Sequence, residues 1–219
     1  MRLPYVDPAD PKAFTSPDDT AIVARVRARR APRPLQALDL ALLHSPAVAD
    51  GWNSFLGAIR TKTSLSDDVR EVAICRVAVV NEAWYEWGHH APLAKAGGVS
   101  EEGLKILGDT DLLGGTESSE LSAKLWAVVR YTDAMTEDVT VEPGVFDELK
   151  KHFNEQEVVE ITATVCISFR LVIDRSVCYA TCHVLKQNLT SRWRRTIVSV
   201  AFLWHWMASI LIFPQCPTD

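Results

Sequence analysis

The 219-residue chain opens without an apolar leader. Residues 1–10 hold prolines and aspartates and no hydrophobic run, so no secretory signal is read and a cytoplasmic address is expected. Lysines and arginines form no stripe with interleaved aromatics, and the net charge is -5, which argues against nucleic acid as a main partner. Cysteine is scarce. Positions 75, 166, 178, 182 and 216 are irregularly spaced and odd in number, which excludes a disulfide framework. His89 and His90 are adjacent rather than i, i+4, and Cys178, Cys182 and His183 lack a fourth ligand. No metal site is expected, and no other cofactor. The sequon Asn188-Leu189-Thr190 has no secretory context in which to act. No segment alternates apolar and polar residues for the length of a strand, which leaves an all-α fold.

What is present is ordinary globular material: 47% hydrophobic and 23% charged residues, in a length that suits one sizeable core. Helices are expected over 18–30, 34–43 and 46–59, with Pro32 and Pro34 ending the first. Ser45 is placed to cap the third, with Pro46 in its first turn. Asp18 and Asp19 before Arg25, Arg27, Arg29 and Arg30 put acid at a helix start and base at its end, matching the macrodipole. Ser66-Asp67-Asp68 opens a helix to about Val80. Another runs from about Ala83 to Gly97-Gly98, and a short one follows Ser100 to about Leu107. Residues 108–118 read as loop, 119–136 and 142–152 as helices, and Asn154-Glu155 leads into one more. Residues 1–17 are an N-terminal extension, 18–164 one helical domain, and 165–219 an atypical tail.

The chemistry lies in Asn81-Glu82-Ala83-Trp84-Tyr85-Glu86-Trp87-Gly88-His89-His90, with Glu71 one helix upstream. Glu86 and His90 stand four apart and share a helix face. Val69, Val72, Ala73 and Val77 around Glu71 place it at the core edge. Burial and a neighbouring carboxylate act on an imidazole's proton affinity in opposite directions, which suits acid–base transfer near neutrality. A solvated surface Glu–His pair is the competing reading. Trp84 and Trp87, at i, i+3, suit core or interface packing better than a substrate platform.

Several separated segments stand in a familiar order. They are His44-Ser45-Pro46, Gly51-Trp52-Asn53-Ser54-Phe55-Leu56, Glu71-Val72-Ala73-Ile74, Tyr85-Glu86-Trp87-Gly88-His89-His90-Ala91-Pro92-Leu93-Ala94 and Ala96-Gly97. Residues 35–164 thereby resemble the carboxymuconolactone decarboxylase family, whose fold is shared with the alkyl hydroperoxidase D group. The motif of that group is a Glu, eleven residues, a Cys, two residues, a Cys, three residues and a His. Laid from Glu71, it puts Ala83 and Glu86 where the thiols belong and His90 in place. Peroxide reduction needs a thiolate and a resolving thiol, and Cys75, alone on the other helix, cannot replace them.

The resemblance therefore implies a compact helical domain of the alkyl hydroperoxidase D type, a homo-oligomer, and a cofactor-free decarboxylase. Its substrate would be a small carboxylated lactone or aromatic-pathway intermediate. His90 is the expected general acid, Glu86 its tuning or orienting partner, and Glu71 a substrate-positioning or proton-relaying group. His89, Tyr85, Trp87 and Arg76 are the expected substrate contacts, although Arg76 is five residues from Glu71 and points ~140° away from it. The alternatives are a thiol-dependent peroxidase, disfavoured by Ala83 and Glu86, and a degenerate member with a hydrophobic tail.

The tail breaks the resemblance. Family members continue with a helix resembling Val-Ala-Ala-Tyr-Asn-Cys-Val-Ser-Arg-Phe-Leu-Val-Ala-Leu-Asp, where this chain has Val165-Cys166-Ile167. Val-Cys can be encoded GTATGT, an intron start. Leu189-Thr190 can carry a branch point, and Arg192 an AG acceptor. The stretch between is not a multiple of three bases, and the residues after Arg192, shifted in frame, can spell the family helix. Residues 165–219 are accordingly read as a retained intron followed by a shifted exon. The apolar run 197–213 behind Arg192, Arg194 and Arg195 is then a by-product rather than a membrane anchor.

Overall fold

The computed structural model describes residues 4–10, 12–110, 119–138 and 140–179, the side chains only as far as 168. The described residues hold helices and no strand, so the fold is all-α. They form α1 (Pro17–Arg30), α2 (Ala37–Leu42), α3 (Pro46–Thr61), α4 (Asp67–Val80), α5 (Trp84–Ala96), α6 (Glu101–Leu107), α7 (Ala123–Asp133), α8 (Pro143–His152) and α9 (Glu155–Tyr179). Two compact units result, one built on residues up to Thr63 and one on Ser64–Ser176. The break falls inside the 18–164 stretch expected as one domain.

In the first unit, Ser16 caps α1 by accepting from the Asp19 N–H at 3.0 Å, and Pro17 fits the first turn, where its missing donor is not needed. Arg27, Arg29 and Arg30 fall in the last turn, as the charge pattern anticipates. α1 and α2 pack on α3. Val23, Val26, Leu43 and Ala49 form the buried core. α2 starts three residues later than expected. The Gln36 N–H is held by Asp39 Oδ2 at 2.8 Å, which fixes Gln36 as the extended residue before the helix. Asp39 itself is buried and gripped by Arg30 through two bonds, of 2.7 and 3.0 Å.

The second unit is arranged around α4, which packs on α5, α6 and α7, while α7 also packs on α8. Residues 71–79 of α4 are all buried, so this stretch of the helix has no solvent face. Its core partners include Trp126, Tyr131, Leu149 and Ile161. Ser45 and Ser66 do occupy the residue before α3 and α4, but neither side chain makes a capping bond. Ser100 and Ser122 do, to the Gly103 and Leu125 N–H groups. α7 closes at Asp133 and continues as a π-helical turn, Ala134–Asp138. α9 runs unbroken across residue 164, with Val165 and Cys166 in the core. The apolar run 197–213 and the Cys182-His183 pair lie outside the described residues. Among the described residues no helix is long and apolar enough to cross a membrane.

Candidate active site

α4 ends in a turn that sends the chain directly into α5. The Ala83 N–H bonds to the Ala78 carbonyl at 2.7 Å and the Glu82 N–H to Val79 at 3.0 Å, the two closures of a Schellman cap. Glu82 is left-handed there, at φ 55°. With α5 packed on α4, the buried positions of α5 are Glu86, His90, Ala91 and Ala94. Glu86 and His90 thereby meet Glu71. The three residues are only 7%, 4% and 4% exposed, respectively.

His90 Nδ1 lies 2.7 Å from Glu71 Oε2, a hydrogen bond in which an ionised Glu71 accepts from Nδ1–H. The opposite nitrogen, Nε2, lies 3.6 Å from Glu86 Oε2, just beyond hydrogen-bond reach. The hydrogen-bond partner of His90 Nδ1 is thus Glu71, on the other helix, and Glu86 faces Nε2. Sequence reasoning gave the orienting role to Glu86 because spacing along one helix is visible and packing between two is not.

It also passed over Arg70. Arg70 Nε donates to Glu71 Oε1 at 3.3 Å, and its far nitrogen pairs with Asp67. Both oxygens of Glu71 are engaged, one by an imidazole and one by a guanidinium, which leaves Glu71 poorly placed to position a substrate hydroxyl. The available signal was an arginine next to the key Glu and three residues after an acid.

Arg76 is not brought to this cluster. It is fully buried, and Nε and the second terminal nitrogen bind Asp133 at 2.5 and 3.2 Å. Its remaining nitrogen donates to the carbonyls of Leu107 and Asp109 at 3.2 and 2.7 Å. Such a guanidinium ties α4 to α7 and to the end of α6 rather than reaching for a substrate. Trp87 is half-buried, packs against the core and sits over Gly108 at the end of α6. Tyr85 and His89 are exposed on the flank of α5, ring against ring, with centroids 4.3 Å apart.

The thiols stand apart from this chemistry. Cys75 and Cys166 are free and buried. Burial pushes both thiols up, Cys166 to about 12, and the Glu71 charge adds to the effect at Cys75. No group of three or more potential metal ligands is found among the described residues.

These features define a class: an all-helical protein that buries an acid–imidazole–acid cluster between two packed helices. Comparison with known proteins adds to this. Residues 46–128, the segment that holds Glu71, Glu86 and His90, match the family model described as Carboxymuconolactone decarboxylase family. Among solved structures, the ligand-free debrominase Bmp8 is similar with a TM-score of 0.59 at 13% identity, over 89% of this chain and 95% of that one. A cysteine-to-alanine variant of Bmp8 in complex with 2,3,4-tribromopyrrole gives 0.58 at 13%, over 91% and 97%. At that identity the likeness concerns the fold. No curated protein matches.

Proposed function

We propose that this chain is a cofactor-free carboxy-lyase acting on a small carboxylated lactone or aromatic-pathway intermediate, with His90 as proton donor. The observation that carries this reading is the 2.7 Å bond between Glu71 and His90 Nδ1, which orients the buried ring with Nε2 toward Glu86. Loss of carbon dioxide breaks a carbon–carbon bond and leaves its electron pair on carbon, spread into an adjacent carbonyl. Nε2–H of the doubly protonated ring delivers the proton to that carbon, and solvent restores it to the ring. Arg70 and the imidazolium offset the two carboxylates, which would otherwise repel an anionic substrate. The family match over 46–128 supports the reading, and the buried, weakly acidic thiols disfavour the peroxidase alternative. The family resemblance also implies a homo-oligomer, which mass measurement in solution tests.

Carbon dioxide release across a panel of carboxylated lactones and carboxylated aromatic-pathway intermediates is the direct assay. His90→Gln is expected to lower kcat by roughly a hundredfold or more, with helicity unchanged. Glu71→Gln presents a possible donor to Nδ1, permits the wrong tautomer, and is expected to lose about as much. Undiminished turnover in His90→Gln, or thiol-driven peroxide turnover that vanishes in Cys75→Ser, contradicts the assignment.

A further inference from the structure

We propose that the first helical unit holds a binding site for a small organic anion, a carboxylate or phosphate on an apolar body, in the cleft between Arg27 and Arg33. The cleft has a volume of about 420 Å³ and is lined by Pro8, Arg27, Arg33, Pro34, Leu35 and Leu40. That volume is on the scale of a small-molecule pocket. Its lining contains two guanidiniums, four apolar side chains and no acid.

The arginines around it show why these two matter. Arg25 makes a two-pronged pair with Asp50, at 3.0 and 2.8 Å. Arg30 holds the buried Asp39, and Arg29 reaches both Asn53 and Asp39. Each of these cations is matched within its own unit. Arg27 and Arg33 are exposed, have no side-chain hydrogen bond or ion pair among the described residues, and line the same cleft. Guanidiniums bind carboxylate and phosphate through paired N–H donors, so an anionic head group supplies what the protein does not.

The walls select the rest of the ligand. A bare inorganic ion would leave Leu35, Leu40 and the two prolines uncovered, whereas a ring or short chain covers them. Pro8 and Pro34 have fixed φ, so those parts of the wall lose little freedom when a ligand enters. The site lies wholly within the first unit and does not depend on the chemistry proposed for Glu71, Glu86 and His90.

The test is a titration of the full chain, carrying labelled leucine methyls and arginine Nε, followed by NMR. The probes are benzoate, phenyl phosphate, benzyl alcohol and inorganic phosphate. Benzoate or phenyl phosphate is expected to shift the Leu35 and Leu40 methyls together with the Arg27 and Arg33 Nε–H signals, saturably; which one binds tighter identifies the head group. Benzyl alcohol and inorganic phosphate are each expected to bind at least about tenfold more weakly. Arg27→Gln with Arg33→Gln should weaken the organic anion by about tenfold or more while the remaining methyl spectrum stays in place. If that double variant does not fold, the two single variants decide, each with an expected loss of about threefold or more. Absence of a saturable leucine shift overturns the proposal. So does retention of affinity without the arginines, or inorganic phosphate binding as tightly as the organic anions.

Discussion

Glu71 and Arg76 show how one helix can bury two opposite charges for different purposes. Neither could stay buried alone. Glu71 meets the imidazole of His90, and Arg76 meets Asp133 and two carbonyls. Arg76→Met is therefore expected to cost about 3–5 kcal/mol in urea unfolding, because Asp133 stays buried without its partner. Burial pushes the Asp133 carboxyl up to about 6, against the pull of Arg76 and with a smaller push from Glu137 and Asp138. The folded chain thus holds a proton between the ordinary aspartate value near ~4 and about 6, where the unfolded chain has lost it. As pH rises through that window, wild-type stability should fall relative to Asp133→Asn by up to roughly 1.4 kcal/mol per pH unit, and the gap should hold steady above it. A gap that does not change between those pH values contradicts the account. The thiols provide a second check. In the folded protein Cys75 and Cys166 should resist alkylation at pH 8, with both modified only after denaturation, as mapped by peptide mass spectrometry. At this scale the sequence identified Glu71, Glu86 and His90 as candidates, since helical spacing and apolar neighbours are local. It did not show which carboxylate takes Nδ1, or that Arg76 is consumed by Asp133, because both depend on how helices far apart in the chain pack.

The two ends of the α4–α5 pair use the same device with different residues. At Gly98, φ is 110°, a conformation that suits glycine, and the Val99 and Gly98 N–H groups close back on Ala94 and Lys95 at 3.0 Å. At Glu82 the same closure is made by a residue with a Cβ at φ 55°. Glu82→Gly should accordingly stabilise the chain by about 1 kcal/mol, while Gly98→Ala should destabilise it by about 1–2 kcal/mol. Paired urea melts measure both, and stabilisation by neither or both would break the comparison. Gly97 acts differently. Its backbone is unstrained, but an added Cβ would stand 2.9 Å from the Asp68 N atom, so the start of α4 and the end of α5 would have to part. Gly97-Gly98 was readable as a stop because glycine advertises its role. The α4–α5 break was readable from pattern alone, and nothing local in Glu82 explains why glutamate holds the left-handed position. The late start of α2 was not readable, since it depends on Asp39 turning back to the Gln36 N–H.

Over the whole molecule, the reading of one helical domain becomes two compact units, and the expected boundary at 164 falls inside a helix. Helix content was legible because caps and 3.6-residue periodicity are local, but the division at Thr63 was not, because it depends on which helices choose each other. The continuity of α9 also bears on the tail. Val165 and Cys166 are in the core, and an apolar residue is tolerated at these positions whichever reading frame supplies it. Burial there is thus no argument for the frame as given, and the nucleic acid must decide. A retained intron predicts GTATGT across codons 165–166, CTAAC or CTGAC across codons 189–190, and AGG at codon 192. Any other codons at these places overturn the idea. If the codons fit, a chain made from the spliced transcript should continue α9 with the family helix and cover apolar surface with it. It should then unfold at higher temperature, and aggregate less, than the 219-residue form, as read by calorimetry and light scattering on the two proteins. Equal melting of the two would mean that residues 165–219 already complete the core, and that the tail belongs to the fold rather than to an unspliced message.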